Sequence, residues 1–139
     1  MSLAVIWLDE HVVEIQVRAA NGRFAGVADC YAGHEFFARA AESLRGFPTS
    51  ARDHREIDVG TFDPGYAGGG ARIVLRCIDS AGHAVADVTL QADSAAVQGH
   101  RESVSLTFPI EAAGVDELVA VLGRIDLVVG AAAVLRPAI

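Results

Sequence analysis

At 139 residues the chain has the length of one domain, and with 52% hydrophobic residues it is too apolar to be disordered, yet no window reaches the ~18 apolar residues of a membrane span. Eleven basic and eighteen acidic residues leave a net charge of −7, which opposes binding to phosphate backbones and favours a basic partner where electrostatics matters. Neither nucleic acid nor a membrane is therefore expected as a partner. The first eight residues lack the basic start and long apolar core of a signal peptide, so the cytoplasm is the expected location.

In chain order, Ala4 to Leu8 is a short apolar run that suits an edge strand or a lead-in. From Val13 the alternation is clear: Val13, Ile15 and Val17 share one face, and Glu14, Gln16 and Arg18 the other. Asn21-Gly22 supplies the residues of a tight type I′ turn, and a return strand runs from Arg23 to about Tyr31, with Gly26 marking a bulge. Phe37, Ala40, Ala41 and Leu44 recur at helical spacing, which places a helix over 34–45, stopped by Gly46-Phe47-Pro48.

A strand over 56–62 follows with Ile57 and Val59 inward, and the glycine-rich stretch from Asp63 to Gly70 reads as a mobile loop. The central hairpin spans 72–91. Pairing Ile78 with His83 sets Ile73, Leu75 and Cys77 against Val88, Ala86 and Ala84, whereas a one-residue slip would set Leu75 against Asp87. After a loop over 93–101, Val104, Leu106 and Phe108 alternate with serine and threonine until Pro109 ends the strand. Val115, Leu118, Val119, Leu122 and Ile125 define a second helix over 112–125. The order implies an α+β domain of two layers over 1–139: a mostly antiparallel sheet of about six strands with both helices on its apolar face. The apolar ends, 1–8 and 127–139, are expected to be oligomer contacts or frayed termini, and a homodimer is the natural way to cover them.

Candidate chemistry is sparse. The glycine stretch lacks the Lys-Ser or Lys-Thr and the following helix of a phosphate loop, so no nucleotide cofactor is expected. His11, His34, His54, His83 and His100 form no metal-ligand pattern, and Cys30 and Cys77 have neither zinc-site nor CxxC spacing, so no metal is expected and both thiols read as buried. Ser80 stands beside Asp79 and His83, but Asp-Ser-Ala-Gly is also an ordinary turn. No catalytic residue is assigned. The solvent face of the sheet, with Glu14, Arg18, Arg72, Arg76 and Asp87, is the candidate interaction face, since charge on rigid strands speeds and selects protein association.

Four stretches, Asn21-Gly22-Arg23-Phe24-Ala25-Gly26, Leu44-Arg45-Gly46-Phe47-Pro48, Ile78-Asp79-Ser80-Ala81-Gly82-His83 and Phe108-Pro109-Ile110-Glu111, together resemble those of small uncharacterised bacterial α+β domains of the immunity-protein-like type. The resemblance covers about Val12 to Ile125 and implies a bacterial origin and a non-enzymatic module that binds or regulates another protein. The competing class is a small-molecule binder or enzyme with its site near the loop from Asp63 to Gly70. A deep pocket of convergent polar groups would favour that class, and a flat polar sheet face the protein-binding one.

Overall fold

The computed structural model describes residues 1–93 and 100–138. Its elements run β1 (Ser2–Leu8), β2 (Val12–Ala20), β3 (Ala25–Gly33), α1 (Phe36–Leu44), β4 (His54–Gly60), β5 (Gly70–Cys77), β6 (Ala84–Gln91), β7 (Ser103–Ile110), α2 (Ala112–Leu122) and β8 (Ala132–Val134). The α+β class and the antiparallel pairing agree with the alternation of the sequence. The layout does not: in place of one sheet of about six strands there are two four-stranded sheets, ordered β3-β2-β1-β8 and β4-β5-β6-β7. Alternation tells which side chains point inward, but says nothing about which strand stands beside which.

Every element contributes to one core, from Leu3 and Val5 of β1 to Ala133 of β8. Helix α1 packs on α2 and on β4, while α2 reaches β8, so the helix pair joins the two sheets instead of lying together on one. Burial of Phe37, Ala40, Ala41 and Leu44 on α1, and of Val115, Leu118, Val119 and Leu122 on α2, follows the spacing of those residues. Beyond α1, Gly46 takes a left-handed φ of 77°, and Phe47 is buried behind it before Pro48.

The central hairpin has the register set by its apolar face: Ile73 pairs with Val88, Leu75 with Ala86 and Cys77 with Ala84, while Ile78 N donates to His83 O at 2.8 Å. Other local expectations need correction. The β2–β3 connection is not a type I′ turn, which needs a positive φ at Asn21; only Gly22 has one, and the Asn21 Oδ1 instead accepts from the backbone N–H of Arg23 and Phe24. Gly26 sits in an unbroken β2–β3 register, and the irregularity lies in β1 between Val5 and Trp7. Pro109 lies inside β7; as this strand is at a sheet edge, the missing N–H interrupts no ladder. Of the loop expected over 93–101, residues 94–99 lie outside the described residues.

Residues 1–8 and 131–135 are tied into the fold. β1 is an interior strand, with β2 on one side and β8 on the other. The Met1 amino group donates to Leu135 O at 2.9 Å, and Leu3, Ala133 and Leu135 are buried within the chain's own core. Among the described residues no helix is long and apolar enough to cross a membrane.

Candidate functional site

β3 runs across one end of the second sheet, and glycines stand at each crossing. A β-carbon on Gly26 would overlap Val104 of β7; one on Gly60, the last residue of β4, would meet the Cys30 Cβ at 2.8 Å; one on Gly68 would meet the Tyr31 ring at 2.8 Å. Gly69 N donates to Asp29 O at 2.8 Å and Gly68 N to Asp93 Oδ2 at 2.8 Å. The loop expected to be mobile is thus anchored at its C-terminal end. At Gly69 and Gly70 the backbone itself approaches closely, since a β-carbon there would meet Gln91 O and Thr61 O.

The five charged residues of the expected face divide between the sheets. Glu14 and Arg18 stand on β2, and Arg72, Arg76 and Asp87 on β5 and β6. Because the sheets pack around a shared core, the structure does not unite them into one strip. Glu14 pairs across the ladder with Tyr31, and its charge, with a hydrogen bond, pushes the Tyr31 phenol above its ordinary value. Arg18 donates to Gln16 at 2.8 Å, and Gln16 in turn to Asp29 at 3.1 Å.

On the second sheet the charges hold one another in place. Arg72 Nε lies 2.8 Å from Glu56 and 3.0 Å from Asp58, with its guanidinium 5.3 Å from the centre of the Phe62 ring. Arg76 Nε lies 2.6 Å from one Asp87 oxygen, while Thr107 donates to the other at 2.6 Å. Partial burial alone would raise the Asp87 carboxyl, but Arg76 and Thr107 outweigh it and hold it below the usual carboxylate range. The Thr89 and Ser105 hydroxyls, 3.1 Å apart, continue the polar face.

The other sequence candidates resolve into local structure. Asp79 Oδ1 accepts from Ala81 N and His83 N, and Asp79 Oδ2 lies 2.5 Å from His83 Nδ1. His83 is 72% exposed at a hairpin tip, so the pair finishes a turn that stands in solvent. His34 Nε2 bonds to Asp9 O at 2.8 Å. Among the described residues no three His, Cys, Asp or Glu side chains gather as a metal site would need. The Asp53-His54-Arg55-Glu56 run, which looks like a ligand cluster, is a clamp: Arg55 pairs with Asp53 at 2.8 Å and donates to Ser43 O and Arg45 O at the end of α1.

No protein family, curated protein or solved structure matches this chain.

One feature lay beyond sequence reasoning. The free edge of β4 and the C-terminal end of β3, residues 31–33, flank a cleft of about 360 Å³ walled by α1. Phe36, Ala40 and Ile57 supply its apolar lining, and Glu35, Glu56 and Asp58 its carboxylates. Only the pairing of strands brings residues 31–33, 35–43 and 56–60 together, and no local pattern announces it.

Proposed function

We propose that this chain is a non-enzymatic protein-binding module of the immunity-like kind, which meets its partner on the outer face of the second sheet and along the β4 edge. The observation that carries this reading is the set of side chains clamped on that face: Arg72 between Glu56 and Asp58, and Arg76 and Thr107 on Asp87. Isolated surface pairs contribute only about 0–1 kcal/mol to folding, so their value lies in presenting fixed charge to another surface. The exposed Asp79–His83 pair and the packed glycine loop lend no comparable support to a catalytic or small-molecule site.

The test exchanges the charges, Arg76→Asp with Asp87→Arg, which preserves opposite signs on the two strands. Capture of the native partner from cell lysate should weaken while the melting temperature changes little. Added salt should weaken capture by the wild type, since exposed charge is screened within ~10 Å at 0.1 M. Equal capture by both proteins across a salt series would return this face to solvated surface.

A further inference from the structure

A sheet edge can accept a strand from another chain, and the ladders fix which backbone groups each edge offers. Asn21 N donates to Phe24 O at the start of the β2–β3 ladder, so the even-numbered residues of β3 turn toward β2. Asp29, odd-numbered, accordingly accepts from Gly69, outside that ladder. By the two-residue period Tyr31 and Gly33 also turn their N–H and C=O groups away from β2, toward the cleft. In β4, Thr61 N donates to Gly69 O in continuation of the β4–β5 register. Arg55, Ile57 and Val59 therefore face β5, and Glu56, Asp58 and Gly60 direct their backbone groups into the same cleft.

The edges of β7 and β8 offer less. On β7, Thr107 O accepts from the Asn21 side chain, Pro109 has no N–H, and Pro109 O accepts from Ala138 N. β8 is three residues long. Among the described residues the β3–β4 cleft combines an open β4 edge, an apolar floor and three carboxylates, of which Glu35 pairs with Arg39 at 3.9 Å and Glu56 and Asp58 share Arg72, so that three negative charges face two guanidinium groups. The one negative charge left over there, within a chain of net charge −7, is complementary to a basic occupant.

We infer that the cleft receives an extended segment of the partner protein in which apolar and basic residues alternate, added as a strand along β4. Its apolar side chains rest on Phe36 and Ile57, and its lysine or arginine side chains reach Glu35, Glu56 and Asp58. From Glu56 to Gly60 the edge offers about 13 Å, enough for four or five extended residues. This inference rests on the protein-binding reading and adds the chemistry of the partner.

The probe is an acetylated, amidated peptide of alternating valine and lysine, compared with a valine–glutamate peptide and with a valine–lysine peptide N-methylated on the edge that would face β4. Binding is read by fluorescence anisotropy, and amide exchange by NMR. The lysine peptide should bind, the glutamate peptide about tenfold more weakly, and the methylated one hardly at all. The Glu56, Asp58 and Gly60 amides should exchange more slowly in the complex. Ser43→Trp, on the exposed side of α1 at the cleft, should weaken binding about tenfold with the fold intact by its amide spectrum.

Absence of binding, equal binding of the methylated peptide, or unprotected β4 amides would each overturn the inference. So would a dimer that Ser43→Trp converts to monomer, because the occupant would then be a second copy. If the peptide arms fail while the Arg76 and Asp87 exchange still weakens partner capture, the cleft assignment falls and the protein-binding reading stands. If both fail, both fall.

Discussion

Gly26 of the first sheet lies so close to Val104 of the second that a β-carbon there would overlap the Val104 Cγ1, with the Leu90 Cδ1 at 3.1 Å as well. The approach fixes where β3 crosses the end of the second sheet. Gly26→Ala should cost about 1–3 kcal/mol by overpacking. Val104→Ala in the same chain should recover part of that loss, because the two sites share one contact. Urea melts of the single and double variants check this; a Gly26→Ala protein as stable as wild type would mean that the strands do not meet there.

Leu75 and Leu106 are inward residues of β5 and β7, 0% and 5% exposed, whereas Thr107 points outward to Asp87. Leu75→Ala and Leu106→Ala should each cost ~2–5 kcal/mol, and Thr107→Ala no more than about 1 kcal/mol. Denaturant midpoints that put Thr107→Ala among the most damaging changes would turn the second sheet inside out.

Removal of 128–139 should destabilise the fold itself. It strips β8 from β1, uncovers Leu3, and takes Leu135 and Ala133 out of the core. Burial of one such leucine alone contributes about 1.5–3 kcal/mol. Thermal melting of the truncated chain should therefore shift downward. An unchanged melting curve accompanied by a smaller mass in light scattering would instead make the tail an interface between copies.

Asp53 accepts hydrogen bonds from Arg55 and from the Thr49 N–H and hydroxyl, and the Arg55 bond is the main cause of a carboxyl held far below its ordinary value. Because the folded-state value is depressed, this stabilisation is complete above the unfolded carboxyl value of about 4 and is lost as pH falls toward the folded one. Asp53→Asn should cost about 1–3 kcal/mol at neutral pH. The gap in melting temperature from wild type should narrow below about pH 4. A gap independent of pH would remove the charge from the explanation.

Cys30 is fully buried, and burial, reinforced by the charges of Asp29 and Glu14, pushes its thiol up to about 12. As the thiolate is the reactive form, Cys30 should resist alkylation in the native protein at neutral pH and react only on unfolding. Mass spectrometry after brief treatment with iodoacetamide would find Cys30 unmodified; rapid native labelling would contradict the packing against Gly60.

Much of the fold is local and was legible in the residues. Alternation at 13–17, 73–77 and 104–108 set the inward faces, helical spacing set α1 and α2, and the apolar match of Leu75 with Ala86 fixed the hairpin register, since a slip would have placed Asp87 against the core. Turn chemistry at Asp79 to Gly82 and the stop at Gly46 are likewise short-range. Sequence could not decide how the strands divide, because an inward-facing Val17 and an inward-facing Ile73 look alike whether they share a sheet or face each other across a core. The same ambiguity joined Glu14 and Arg18 to Arg72, Arg76 and Asp87, and left Gly26 and Gly68 as a bulge and a loop. Their requirement for glycine comes from strands distant in the chain, as does the cleft between Tyr31 and Asp58, which exists only because β3 crosses the end of the second sheet beside the free edge of β4.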